Sequence, residues 1–413
     1  MTRKSMVLAA VLLAVGLGAV WAQDGGTVVQ GDSFVDKMAW LQAFAQTGGS
    51  YIVELSTDES ISAYQLEYSG KRNITITLRG ADANRTLSSS SSGTMFTVRS
   101  GVTLVLDNNI TLKGWGYRTP WGGSIGVVIW QGGTLVMNDG STITGCYTVS
   151  GRGDGGGVLL NGGTFTMNGG TISGNSAWNG GAVHIDKGTF TMSDGTISGN
   201  TASSTSPCGG GVYVGGGTFT MSGGTISGNT ASYGGGVYGT FTMSDGEISG
   251  NTSSYDGGGV YVGSGTFTMN GGTISGNTAS SRYGGGVSVK ERGTFTMSDG
   301  TIFGNTATTS GGGVYVEGGT FTMRGGTITG NTARENGGGV YVSGTFAKTG
   351  GTITGYASDR DNGNAVKEAN GTVRNFRGHA VYASGPKIRE GTAGPRDNLS
   401  YSRDGGASGA WDN

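Results

Sequence analysis

The stretch GGTFTMNGGTISGN, residues 162–175, decides the fold. Thr164-Phe165-Thr166-Met167 alternates with period two, so Phe165 and Met167 share one face of a strand and the threonines the other. Thr171-Ile172-Ser173 repeats the alternation in miniature. The anchor at Phe165 returns at Phe190, Phe219, Phe241, Phe267, Phe295, Phe321 and Phe346, with Leu135 and Leu104 in the same role earlier and Ile76 as a weaker start. The intervals run from 22 to 31 residues. Asparagine follows each of the first seven phenylalanines by ten residues, at Asn175, Asn200, Asn229, Asn251, Asn277, Asn305 and Asn331. All variation in length falls between that Asn and the next Phe. Half of each repeat is fixed and half elastic, as in a coil with one free loop.

A third strand precedes each anchor: Gly-Gly-Gly-Val-Tyr-Val points its valines one way and its tyrosine the other. These strands are too short to stand alone, and no spacer holds a crossover helix between them, so each must stack on its counterpart in the next repeat. The expected fold is all-β: a right-handed, single-stranded parallel β-helix of about eleven coils with three short strands per coil. Inner ladders of Phe, Ile and Val and a corner ladder of Asn follow from it. Glycine at the corners supplies positive φ or close backbone approach. A leucine-rich horseshoe lacks its Leu-x-x-Leu-x-Leu strand here, and propeller blades need longer repeats.

Composition agrees. The 413 residues include 88 glycines without a Gly-X-Y period, 4 prolines and only 13% charged side chains. A net charge of −1 gives no basic field for nucleic acid. Arg3 and Lys4, the apolar run Met6 to Val20 and the small residues Val20 and Ala22 read as a secretory signal over 1–22, cleaved after Ala22. No cysteine follows the apolar run to take a lipid, and no later segment is long enough to span a membrane. The mature chain is expected to be exported, extracellular or at the cell surface, with the periplasm as an alternative. Residues 23–92 form an N-terminal cap and first coil, 93–356 the repeats, and 357–413 the last strands and a polar tail. Within the cap, SFVDKMAWLQAFAQ predicts an amphipathic helix near 33–46, with Ser33 and Asp36 placed as a capping box.

Gly-Gly-Ala-Val at 180–183, its Gly-Gly-Gly-Val copies, and the Ile-Ser-Gly-Asn-Thr-Ala runs at 226–231 and 274–279 resemble the paired motifs of polymorphic outer-membrane protein repeats. More loosely, the chain is similar to secreted bacterial β-helix proteins of the pectin-lyase-like superfamily. The resemblance spans roughly residues 93–356 and implies a right-handed β-helix and adhesion at a cell surface. Residues 357–413 are too few for the membrane barrel that ends the polymorphic proteins.

Several side chains are candidates for function. The outward tyrosines Tyr213, Tyr238, Tyr261, Tyr315 and Tyr341, with Leu159, His184 and Ser288 in the same column, could stack on sugar rings or simply pack on one another. Arg152-Gly153-Asp154 is the tripeptide that host integrins read on exposed loops. The outward Thr-x-Thr pairs match the flat faces of ice-binding β-helices, although β-branched residues stabilise any strand. Asp194, Asp245 and Asp299 follow Met in alternate coils, where Asp-Gly makes a turn by itself. Cys146 and Cys208 lie two coils apart, and the sequence leaves them free or bridged. His184 and His379 fall in separate regions, with no serine elbow, metal-ligand spacing or phosphate loop. No cofactor and no metal is expected. The reading is a non-enzymatic, exported, surface-binding or adhesin-like rod whose partner is a host or cell-surface protein or glycan. The alternative is a carbohydrate-binding or polysaccharide-degrading β-helix protein.

Overall fold

A computed structural model describes residues 19–21, 25–115, 123–148, 155–206, 208–374, 378–383, 401–402 and 409–411. The anchor positions form a single column of parallel pairs. Tyr51, Ile76, Leu104, Leu135, Phe165, Phe190 and Phe219 lie in register, followed by Phe241, Phe267, Phe295, Phe321 and Phe346. The molecule is therefore a parallel β-helix, of about 12 turns. The additional turn is the strand Ser50–Leu55, which lacks the Thr-Phe-Thr-Met signature. Helix α1 (Phe34–Phe44) packs at this end, and the strand buries Tyr51, Ile52 and Val53 in succession, which hides the period-two pattern.

The phenylalanine rings stack inside, with centroids 4.2 to 5.5 Å apart from Phe165 to Phe346. Phe219 and Phe241 are the widest of these pairs, at 5.5 Å and 21°. Met, Ile and Val complete the buried columns. Each fully buried side chain of this size contributes roughly 1.5 to 3 kcal/mol, which offsets the ordering cost of so much glycine backbone.

A coil contains one β-segment more than the sequence predicts. Two-residue Thr-Ala-type strands just after the ladder asparagine, from Ser176–Ala177 to Ala365–Val366, form their own sheet of eight strands among the described residues. They are too short to show periodicity. In four coils the first two predicted strands run together, in Val158–Met167, Val183–Met192, Val260–Met269 and Val287–Met297.

The asparagine ladder is fully buried from Asn200 to Asn364, and Asn175 nearly so. In each of the first seven, both the backbone N–H and Nδ2 donate to Oδ1 of the next asparagine; Asn251 does so to Asn277 at 2.9 and 3.0 Å. Nδ2 also donates to an isoleucine carbonyl of the preceding coil, Ile226 in the case of Asn251. One amide thus satisfies two backbone groups, the N–H of the preceding asparagine and the isoleucine carbonyl, at a corner that no strand could serve. Cys146 stands in this column one coil before Asn175 and donates its N–H to Asn175 Oδ1 at 2.9 Å. At the other end, residues 355–363 detour before Asn364 restores the corner.

Helix α1, Phe34–Phe44, covers the first coils with Phe34, Met38 and Leu41 inward. The Ser33–Asp36 capping box is formed. The Glu59 carboxylate accepts from the Phe34 N–H at 3.0 and 2.9 Å, and the Phe34 ring meets Tyr64 and Phe96 edge-on. At the far end Val381–Ala383 continues the tyrosine strand of Val340–Val342 and pairs antiparallel with Gly409–Trp411.

A candidate binding groove at a break in the tyrosine column

The outward column runs in register through His184, Tyr213, Tyr238, Tyr261, Ser288, Tyr315, Tyr341 and Tyr382. Its rings stack on one another: Tyr213 and Tyr238 at 4.8 Å and 4°, Tyr315 and Tyr341 at 5.0 Å and 12°. His184 continues the stack onto Tyr213. A rung spacing of about 4.8 Å leaves no room for another ring between neighbours. Tyr261 and Tyr315 are 7% and 5% exposed, and Tyr213, Tyr238 and Tyr341 half-buried. Adjacent rings occupy the faces of Tyr213, Tyr238, Tyr315 and Tyr341, and Tyr261 stacks on Tyr238 with little of it exposed, so the column offers little ring face to a sugar. Burial first, and neighbouring charges second, push the Tyr238, Tyr261 and Tyr315 hydroxyls above the usual tyrosine range.

The column breaks at Ser288, and a charged cluster fills the gap. Tyr283, from the preceding turn, stacks on Tyr315 at 4.3 Å and 9°. Lys290 Nζ lies 5.6 and 5.1 Å from the Tyr283 and Tyr315 ring centroids. It pairs with Asp256 Oδ2 at 3.0 Å and Glu317 Oε2 at 2.6 Å. The Asp256 side chain is only 3% exposed, and its Oδ1 accepts the Tyr283 N–H at 3.2 Å. Desolvation pulls the Lys290 ammonium down, but the Glu317 hydrogen bond and the two carboxylate charges outweigh it and hold its pKa above the ordinary value. Beneath them Ser288 Oγ is buried with no hydrogen-bond partner.

An open groove of about 530 Å³ lies over this cluster, walled by Tyr233, Asp256, Tyr261, Gly263, Arg282, Lys290, Glu291, Arg292 and Glu317. Register explains why it is open. Lys290 and Glu317 occupy successive rungs of one position, and in the coil before them that position is Gly263. A Cβ there would lie 3.0 Å from both the Tyr238 hydroxyl and the Tyr261 ring. One coil further back, the interval from Phe219 to Phe241 is the shortest of the repeats. Arg282 lies over the Tyr255 ring, 4.8 Å from its centroid.

The sequence reading missed Asp256, Lys290, Glu317, Arg282, Tyr233 and Tyr283. The signal was there in alignment. Tyr233, Asp256 and Tyr283 each stand directly before a Gly-Gly-Gly run, and Lys290 and Glu317 each stand three residues after the valine that follows it. The elastic half of the repeat thus contains fixed positions, and Ser288 marks where the tyrosine pattern yields to charge.

The other candidates fall elsewhere. Arg152, Gly153 and Asp154 lie outside the described residues, as does most of the expected signal segment. Asp194, Asp245 and Asp299 accept the N–H of their own following glycines at 2.7 to 2.8 Å, which is turn chemistry. His379 Nδ1 accepts the Val366 N–H at 2.9 Å in the last coil. Cys146 and Cys208 are free and buried, and burial pushes the Cys146 thiol up to about 12. The Thr-x-Thr columns are present in register, and the hydroxyls of Thr164, Thr166, Thr189 and Thr191 contact no protein acceptor among the described residues. Among the described residues no group of three His, Cys, Asp or Glu is placed to hold a metal ion, and no helix is long and apolar enough to cross a membrane.

Residues 189–353 match the family model described as right handed beta helix region. The coil is a right-handed β-helix. No curated protein and no solved structure gives a significant match to the chain. The family match contains the whole groove, from Tyr233 to Glu317, so the site is built on the regular part of the right-handed β-helix rather than on its ends.

Proposed function

We propose that the protein is an exported, non-enzymatic rod that binds a surface molecule through the groove at the break in the tyrosine column. One observation carries this reading: the tyrosine column is interrupted at Ser288, the charged side chains Asp256, Lys290 and Glu317 from neighbouring rungs meet at the gap, and a groove opens there. A purely structural wall has no use for such an exception. The absence of catalysis is argued from the acids themselves. Asp256 and Glu317 both bind the Lys290 ammonium, so neither is placed as the protonated acid of a hydrolytic pair, and Glu291 alone does not make one.

The reading is tested by applying the purified chain to intact cells and to a glycan array, beside the Asp256→Asn and Lys290→Met variants. Binding by wild type that weakens in both variants supports it. Release of reducing ends or unsaturated uronates from any polysaccharide would overturn the non-enzymatic part in favour of a degrading enzyme. Protease shaving of intact producing cells tests the surface location.

A further inference from the structure

Building on that reading, we propose that the groove takes a short segment of neutral saccharide, lying along the rod axis across three coils. The juxtaposition of balanced charge, tyrosine hydroxyls and a bare glycine floor carries this. The lining holds three carboxylates, Asp256, Glu291 and Glu317, against three cations, Arg282, Lys290 and Arg292. Lys290 is already held by Asp256 and Glu317, which leaves this inner cluster one negative charge in excess, and the rim residues Glu291, Arg282 and Arg292 balance it, so the lining as a whole is neutral. What remains at the rim is one carboxylate and two guanidinium groups, none of them in an ion pair among the described residues. Carboxylates accept and guanidinium groups donate in a fixed fork, and adjacent hydroxyls on a sugar ring both donate and accept.

The floor fits the same chemistry. Gly263 presents no side chain, and the edges of Tyr238 and Tyr261 flank it with hydroxyls that burial keeps protonated and able to donate. Three rungs span roughly 10 Å, the scale of a short oligosaccharide. A peptide is disfavoured because the groove crosses the strands and offers no sheet edge to pair with a backbone. An acidic polymer gains little because the six lining charges, three carboxylates against three cations, sum to zero.

The test uses calorimetric titration of the full chain with neutral oligosaccharides, uronate oligosaccharides and an acidic peptide, each at low salt and at high salt. Gly263→Gln is the informative variant. The same position accommodates Lys290 and Glu317 in the next two coils, and Gly263 does not adopt a positive φ, so the variant is expected to fold, melting somewhat below the wild type because the new Cβ presses on Tyr238 and Tyr261, while filling the groove. The expected result is binding of a neutral oligosaccharide that changes little with salt and falls at least about tenfold in both Gly263→Gln and Arg282→Ala. Binding only of acidic ligands, weakening steeply as salt rises, overturns the proposal, as does unchanged affinity in Gly263→Gln. If no saccharide binds while the chain still attaches to cells, the saccharide inference fails and the surface-binding reading stands. If cell attachment is absent as well, both fail.

Discussion

At the scale of single residues, the buried polar groups set the largest costs. Asn251 serves its neighbours on both sides, accepting from the N–H and Nδ2 of Asn229 while donating to Ile226 O and Asn277 Oδ1. Asn251→Ala would orphan the Asn229 N–H and the Ile226 carbonyl at once. At about 1 to 3 kcal/mol for each unsatisfied buried group, urea titration is expected to show a loss well beyond that of an exposed substitution such as Thr242→Ala. Lys290→Met leaves the Asp256 carboxylate buried and unpaired, with an expected cost of about 3 to 5 kcal/mol. The sign of its pH dependence follows from its raised pKa. Stabilisation by charged Lys290 is full below the ordinary lysine value of 10.5 and disappears as pH climbs through the higher folded value. Thermal melts across the alkaline range should therefore show wild type losing ground relative to Lys290→Met. The Cys146 thiol, pushed up to about 12 by burial, is expected to resist alkylation until the chain unfolds.

At the scale of the coil, glycine plays two separable roles, and two variants tell them apart. Gly250 sits at φ 60° with nothing within 4 Å of a built Cβ, so Gly250→Ala meets only backbone strain, about 1 to 2 kcal/mol. Gly235 has no positive φ, but a Cβ would fall 2.4 Å from Gly258 O and 2.7 Å from Thr252 backbone atoms. Gly235→Ala must push two rungs apart, and its midpoint in denaturant is expected to fall further than that of Gly250→Ala. Equal losses would contradict the close stacking of the Gly-Gly-Gly runs. This division also shows what was legible in the sequence. Phe165, Met167 and Ile172 announce strands because alternation follows directly from the pleat, and Asn175 announces a corner because it recurs at a fixed distance. The groove was not legible in the same way. Tyr233, Asp256 and Lys290 come together only through register between coils, which cannot be read until the variable loops are aligned on the Gly-Gly-Gly-Val segments rather than on the phenylalanines. For the tyrosines the sequence left sugar stacking and mutual packing both open. Their spacing was right, but the tight stack that this spacing imposes removes the ring faces from solvent.

At the scale of the whole rod, each coil touches only its two neighbours, so stability is a sum of rung and interface terms. Amide exchange is expected to be slowest in the central coils around Phe241 and Phe267 and faster toward Thr27–Val29 and Val381–Ala383. Uniform protection from end to end would instead indicate one cooperative unit. The in-register stacking of like on like has one more consequence. Excising a full period, such as residues 190–218, would bring Thr189 against Phe219 and recreate an interface the molecule already possesses. Rod length is therefore free to drift in whole steps between descendants of a common gene while the cross-section stays constant. The segment from Tyr233 to Glu317 is exempt, because its four rungs are unlike one another and losing any of the three that hold Gly263, Lys290 and Glu317 would erase the groove.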